Sequence, residues 1–305
     1  MAQEMLTVGG NFPFTLRESI NMRKYVLPLA LAASASASAP AIAQQAAAAD
    51  TPPAAAAATP PPPAVTGNMT LVSEYRFRGI DQTYGKPAIQ GGFDYSHESG
   101  IYLGNWNSNV SQGAGYPGGN IEMDFYGGYK HAFGDFGIDV GAIYYYYPGS
   151  DAQFLGAANP HSTKTNSGTV HNTEAYFGVS WKWLSFKWSH ALSDYFMVPD
   201  TSGTDYFDFS ATYDLGSGWG VNGHVGHLKV KSYSEADYTD YKVGVTKDVA
   251  GWVFGASYIG TNAKGSCPFN GLTSPYCFSD TTLGFDGKSK DAGRSTVVLQ
   301  VGKTF

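Results

Sequence analysis

The sequence predicts an all-β chain, a transmembrane antiparallel up-and-down β-barrel of about 12 strands. Three observations lead there. Segments of roughly ten residues alternate apolar and polar side chains with a period of two, the pattern of a strand with one greasy and one wet face. The links between these segments alternate short and long. Past residue 50 no apolar run approaches the roughly 20 residues that a spanning helix needs. The chain is 15% aromatic and only 14% charged. Its mean hydropathy of -0.22 is that of an ordinary soluble protein, as expected when a lipid-facing half is averaged with a polar lumen, so periodicity decides.

Taken in order, Met22-Arg23-Lys24 is a basic start, Tyr25 to Ala33 a short apolar stretch, and Ala41-Ile42-Ala43 an Ala-x-Ala cleavage site before Gln44. Residues 1–43 therefore read as a secretory signal peptide, with translation expected at Met22 and residues 1–21 a misassigned start. Residues 44–66, with Pro52-Pro53, Pro60 to Pro63 and two Ala runs, read as an extended periplasmic linker. The barrel is expected over 67–305.

Within 67–80, Met69, Leu71, Tyr75 and Phe77 share one parity, while Glu74, Arg76 and Arg78 fall on the other. Residues 120–132 repeat this with Ile121, Met123, Phe125 and Tyr129 against Glu122, Asp124 and Lys130. Residues 172–182 oppose Ala175, Phe177, Val179 and Trp181 to Glu174, Tyr176, Ser180 and Lys182. The other strands are expected at 87–97, 100–110, 135–147, 184–192, 204–215, 218–228, 238–248, 251–261 and 293–305. Tight links follow the even strands. Longer polar ones, near 81–86, 111–119, 148–171, 193–203, 229–237 and 262–292, follow the odd strands. Outer-membrane barrels have short periplasmic turns and long extracellular loops, so both termini are expected in the periplasm of a Gram-negative bacterium. Tyr95, Tyr102, Tyr129, Phe136, Trp181, Phe186, Tyr213, Trp219, Trp252 and Phe305 fall near the short-turn ends and are expected to form an outward aromatic girdle.

Several separated stretches resemble a known family: Val72-Ser73-Glu74-Tyr75-Arg76-Phe77-Arg78-Gly79, Gly100-Ile101-Tyr102 with Trp106 and Ser108-Asn109-Val110, the Glu122-x-Asp124 strand, Tyr147-Pro148-Gly149, and Ser193-Asp194-Tyr195-Phe196. From about residue 67 to the end they resemble the TorF family of porins. The resemblance implies a proteobacterial outer-membrane barrel of the porin type. It implies no particular solute.

Other motifs carry less chemistry. Cys267 and Cys277, in the longest expected loop of an exported chain, favour a disulfide. The loop has no histidine or further cysteine to complete a metal site. His224 and His227 are an odd number of residues apart, so on a strand one faces the lumen and the other lipid. Gly287-Lys288-Ser289 lacks the upstream glycine and strand-to-helix context of a P-loop. An enzymatic barrel of the phospholipase type needs a serine beside an outward histidine. His131 and His190 are the candidates, and neither has an outward serine two residues away. A structural or adhesive barrel with a closed lumen is the third reading.

The expected function is a porin passing small hydrophilic solutes by passive diffusion, not an enzyme. No cofactor, metal or nucleic acid is called for, and the expected partners are outer-membrane lipid, the barrel-assembly machinery and the solutes. Twelve strands 4.8 Å apart at a tilt near 40° give a backbone radius of roughly 12 Å and ~10 Å of free width. Expected lumen acids are Glu74, Asp94, Glu122, Asp124, Asp139, Glu174, Asp208 and Asp240, against Arg76, Arg78, Lys130, Lys182, Lys187 and Lys242. Without residues 1–43, which hold Arg17, Arg23, Lys24, Glu4 and Glu18, the chain has 16 basic and 23 acidic groups, a net charge of -7. An anionic vestibule is therefore expected to concentrate cations. Arg76 and Arg78 are expected near the extracellular end of strand one, facing Glu122, Asp124 and Glu174 across the lumen as a constriction with a transverse field. A salt-bridged structural network is the alternative. Phe305, on the closing strand, is the expected assembly signal.

Overall fold

The computed structural model describes residues 64–114, 116, 118–154, 159–267, 274–279 and 289–305. The signal peptide, the start at Met22 and residues 44–63 of the linker lie outside the described residues, as do Gly287 and Lys288. Twelve strands form one closed antiparallel barrel. They are β1 (Val65–Val72), β2 (Ala88–Ser96), β3 (Ile101–Asn109), β4 (Ile121–Phe133), β5 (Phe136–Tyr146) and β6 (His171–Trp181), then β7 (Leu184–Ala191), β8 (Asp205–Gly216), β9 (Trp219–Lys229), β10 (Tyr238–Val249), β11 (Trp252–Thr261) and β12 (Thr296–Thr304).

Each strand pairs with its sequence neighbours, and β12 closes on β1 with Asn68 opposite Thr304 and Val72 opposite Gln300. Gly67 and Phe305 exchange backbone hydrogen bonds of 3.1 and 2.7 Å at the seam. Closure leaves no strand edge, so every ladder N–H and C=O can be satisfied without water.

The alternation resolves into two faces. Ile89, Phe93, Leu103, Val140, Phe209, Val243 and Leu299 are exposed on the outer wall, an apolar belt of the kind lipid covers. Tyr95, Tyr129, Phe136, Trp181, Phe186, Tyr213, Trp219, Trp252 and Phe305 are outward and exposed at the short-turn end, where turns span only 97–100, 134–135, 182–183, 217–218 and 250–251. The expectation failed for Tyr102, which is 2% exposed. Ile101, not Tyr102, follows the Gly100 turn onto the outer face, so Tyr102 faces the lumen and donates to Asp139 Oδ1 at 2.6 Å.

Strand one also departs from expectation. It starts two residues earlier than 67 and ends at Val72, not at residue 80. The chain then leaves the wall, and Arg76–Phe77 pairs with Ile80–Asp81 as a small ribbon inside the barrel. Its two-residue turn places Arg78 at φ 48° and Gly79 at φ 78°, the paired positive angles of a tight hairpin. Alternation runs on through Glu74–Arg78, so pattern alone carries the strand too far. Tyr75 and Phe77, expected toward lipid, are instead buried at 3% and 8% exposure.

The apolar core consequently lies in the long-loop half of the lumen. Tyr75, Phe77, Trp106, Tyr145 and Tyr147 form one cluster, and Ile80, Tyr206, Leu228 and Tyr238 another. From the β7–β8 loop, Phe196 wedges in, with ring centroids 5.7 Å from Phe77 and 5.4 Å from Tyr145.

Candidate functional site

Residues 73–87, between β1 and β2, form a stopper across the lumen, and the residues expected as a constriction are what hold it there. The Arg78 guanidinium grips Glu174 of β6 with two parallel bonds, Nη1 to Oε1 at 3.0 Å and Nη2 to Oε2 at 2.7 Å. Both side chains are buried, at 7% and 2% exposure. The fork geometry uses both carboxylate oxygens. Arg78 also donates to the Tyr195 hydroxyl at 3.0 Å and lies 4.2 Å from the Tyr206 ring centroid. Burial pushes the Tyr195 hydroxyl pKa up to about 12 against the opposing pull of Arg78, so Tyr195 stays neutral at physiological pH. Tyr238 donates to the Arg78 carbonyl at 2.9 Å.

Arg76 works at the other side of the ribbon. It pairs with Glu74 and donates from Nη1 to three carbonyls, Gly79 at 3.0 Å, Ala292 at 2.8 Å and Arg294 at 3.0 Å. Arg294, from the last loop, bonds Glu74 and Asp81, each at 2.8 Å. Sequence reasoning missed Arg294 and Asp81, because the chain brings them together over more than 200 residues with no local motif.

Arg76 and Arg78 therefore do not sit on the wall of strand one facing acids across open space. They ride on an inward hairpin in direct contact with their acids. Glu122 and Asp124 lie on the lumen face of β4, both fully buried, and the Tyr75 hydroxyl donates to Glu122 Oε1 at 3.2 Å. No arginine of the hairpin is paired with Asp124 among the described residues.

Beneath the hairpin lies a cavity of about 700 Å³ that runs from the short turns at His97, Asp135 and Lys182 up to Arg76–Gly79. Its charged lining is Arg76, Arg78, Lys130, Lys182, Lys187 and Lys242 against Glu98, Asp135, Asp139 and Asp208. With the two arginines matched to Glu74 and Glu174, four lysines face four acids. The expected anionic vestibule is thus corrected. The chain's surplus of acids lies outside this cavity, so net charge misjudged it.

His224, buried on β9, presents Nδ1 to Asp208 Oδ2 at 2.9 Å and Nε2 to Asp240 Oδ1 at 3.4 Å. Asp240 in turn accepts from Tyr206 at 3.0 Å, so His224 braces the ring on which Arg78 rests. His227 faces outward beside Thr239. Outside, His190 Nδ1 meets Asp205 Oδ1 at 2.8 Å. Its cross-strand neighbours are Ala175 and Asp205, which supply no serine hydroxyl. Cys267 and Cys277 are joined by a disulfide with Cα atoms 5.2 Å apart. Cys277 opens a ribbon pairing Cys277–Ser279 with Ser289–Asp291, next to Ala292, which accepts from Asp81 N at 2.9 Å.

Fold and interior together define a closed twelve-stranded barrel, apolar outside and stoppered within. Residues 55–305 match the family described as "Bacterial protein of unknown function (Gcw_chp)", and the chain belongs to that family. No curated protein matches it. Among solved structures it is similar to the KdgM porin in complex with disordered oligogalacturonate, at 8% identity over 79% of this chain and 97% of that one, with a TM-score of 0.43. It is also similar to the NanC porin, at 11% identity over 79% and 99% with a TM-score of 0.43. OpdK from Pseudomonas aeruginosa matches at 11% identity over 80% and 67%, with a TM-score of 0.36. With TM-scores below 0.5, these likenesses bear on neither solute nor mechanism.

Proposed function

We propose that the protein is an outer-membrane channel of the porin type, shut in this conformation by the hairpin of residues 73–87 and opened when that hairpin withdraws. Small hydrophilic solutes then diffuse through. The observation that carries this is the cavity of about 700 Å³, with lysines and carboxylates in its lining, that ends on Arg76–Gly79. The hairpin is tethered at both ends and held in the lumen by side-chain ion pairs, ring contacts and hydrogen bonds, the latter including Asp81 N to the Ala292 carbonyl and Ser111 N to the Gln82 carbonyl, each at 2.9 Å. A lumen built to stay solid would not need an internal space of ligand-pocket size.

The apolar belt and edgeless sheet support residence in the outer membrane of a Gram-negative bacterium. The one-sided loop lengths support periplasmic termini, and the likeness to TorF porins points the same way. In this reading Phe305 addresses the chain to the barrel-assembly machinery. The balanced lysines and acids of the vestibule support weak ion selectivity, and transport needs no catalytic step or cofactor.

Planar-bilayer recording tests the proposal. The intact protein should conduct in brief, infrequent openings, whereas a variant with residues 75–81 replaced by two glycines should conduct steadily. If the shortened variant folds as a heat-modifiable barrel yet passes no current, the channel reading fails.

A further inference from the structure

Where the root of the stopper meets the wall, a second and smaller space lies beside the vestibule. It is a hollow of about 30 Å³, roughly double the ~15 Å³ that one water needs. Its polar lining is Glu74 and Arg76 from the stopper, Gln90 of β2, Lys242 of β10, Ser257 of β11 and Gln300 of β12. Arg76 and Lys242 also line the vestibule, so this pair of cations stands between the two spaces.

Several donors around the hollow have no acceptor. Lys242 lies on the lumen side opposite His224 and Ile259, and among the described residues it makes no hydrogen bond or ion pair. Asp208 and Asp240 attract it from nearby, but they are bonded to His224, Ser210 and Tyr206 instead. Arg76 commits Nη1 to carbonyls and Nη2 to Glu74, while its Nε is buried without a partner. Ser257 Oγ and the Gln300 carboxamide also make no hydrogen bond among the described residues. Gly255, opposite Gln300, leaves room for that amide to lie against the wall. The charged acceptor of the lining is Glu74, already shared by Arg76, Arg294 and Thr296. Arg76, Arg294 and Lys242 therefore face Glu74 and Asp81, three cations to two acids, and Lys242 is the one left unmatched.

An ammonium group held inside a protein without a counter-charge is unfavourable. Water in the hollow would meet its hydrogen bonds and leave its charge unmatched. We infer that the hollow is an anion site, in which a halide-sized monoanion sits between Lys242 of the wall and Arg76 of the stopper, with Ser257 and Gln300 donating from the side. Two cationic N–H donors beside a hydroxyl and an amide are the chemistry that holds a small anion, because bonds with a charged partner are the stronger ones. One negative charge restores the balance, and a space this small excludes phosphate and larger anions. The site itself does not depend on whether the barrel conducts. Lys242 belongs to β10 and Arg76 to the hairpin, so the anion also ties the stopper to the wall, and that consequence for opening rests on the channel reading above.

The test uses the purified full-length barrel in detergent, with bromide as the probe, because the nuclear-resonance line of bromide broadens when a protein holds the ion. The wild-type protein should give excess line width that saturates with bromide and is displaced by chloride. Lys242→Met should weaken binding at least about tenfold, the loss of one charge-assisted bond. Ser257→Ala, which alters no charge, should weaken it severalfold and serves if Lys242→Met does not fold as a heat-modifiable barrel. Lys303→Met, which removes the same charge from the outer wall over Trp252, should bind as wild type. In planar bilayers the wild-type open fraction should be lower in chloride than in gluconate, and Lys242→Met should abolish that difference. Absence of saturable bromide binding, or equal loss in the Lys242 and Lys303 variants, overturns the site. Saturable binding with the same open fraction in both salts overturns the tie between stopper and wall. If neither the intact protein nor the variant lacking residues 75–81 conducts, the channel reading fails, and the bromide measurement still decides the site.

Discussion

Glu174→Gln isolates the latch, because it keeps the side chain's shape and removes its charge. In the closed conformation Glu174 accepts both Arg78 bonds, at 3.0 and 2.7 Å, and a third from Asn172 Nδ2 at 3.1 Å. Glutamine offers one oxygen and one NH2, so one of the two guanidinium contacts becomes donor against donor, and a buried cation loses its counter-charge. Removing one partner of a buried pair costs about 3–5 kcal/mol. Exposures of 7% and 2% leave little solvent screening to discount that range. Arg78 belongs to the hairpin and Glu174 to the wall, so the loss falls on the docked stopper and spares the open state. At 1.4 kcal/mol per tenfold, even the lower figure raises the ratio of open to closed by about a hundredfold. Single-channel recording of purified protein in planar bilayers, scored as the fraction of time open, measures this directly, with heat-modifiable mobility confirming an intact barrel. An open fraction equal to wild type in a properly folded Glu174→Gln barrel would refute the latch, and a fall in barrel stability without any change in gating would mark the pair as a permanent plug.

Gly79→Val should act in the same direction by sterics. The position has φ 78°, and a Cβ there would run into Thr261 Cγ2 and Asp240 Cβ, so the ribbon tip is levered off the wall; conductance no greater than wild type would count against the docked hairpin as the barrier. Replacing Cys267 and Cys277 together with Ser should raise protease cleavage within 262–295 several-fold while the melting of the barrel stays within a degree or two. Two free thiols in the mature, non-reduced protein would dispose of the bridge. Deleting Phe305, whose backbone pairs with Gly67 at the seam, should leave the protein exported while lowering its outer-membrane yield severalfold. An unchanged yield would show that the terminal aromatic is dispensable for assembly.

The barrel's strands were legible because each is a local object. Parity along ten residues reports which face is wet, and a glycine or a pair of positive-φ residues reports where the chain turns back. Eleven of the twelve strands lie within about three residues of their expected limits at both ends. The misplaced end belongs to the first. There the alternation of Glu74, Tyr75, Arg76, Phe77 and Arg78 continues smoothly, but in an inward ribbon whose two faces meet protein on both sides, so the polar-apolar rhythm no longer separates lumen from lipid. The same limit accounts for Tyr102. A one-residue difference in where β3 begins reverses every side chain it governs.

The candidate site divides along similar lines. Glu74, Arg76, Arg78, Glu122, Asp124 and Glu174 could be chosen from the sequence because charged residues on the inward parity of a barrel have few places to go. What they do could not be chosen. Arg294 reaches Glu74 from 220 positions away, and Arg78 reaches Glu174 from 96. No local pattern encodes either contact.

By itself, the sequence determined the architecture: a period of two, an even number of strands, one end of short turns and one of long loops, and aromatics gathered where an interface would be. Those properties follow from near-neighbour sterics and from which solvent each face meets, and both are written residue by residue. Only the tertiary structure decided what fills the lumen. That depends on where a loop goes after leaving the wall, which is settled by ion pairs, ring contacts and carbonyl acceptors supplied from distant strands. It also decided that a chain of net negative charge has a vestibule of balanced charge, because burial and pairing set a site's field, and composition does not.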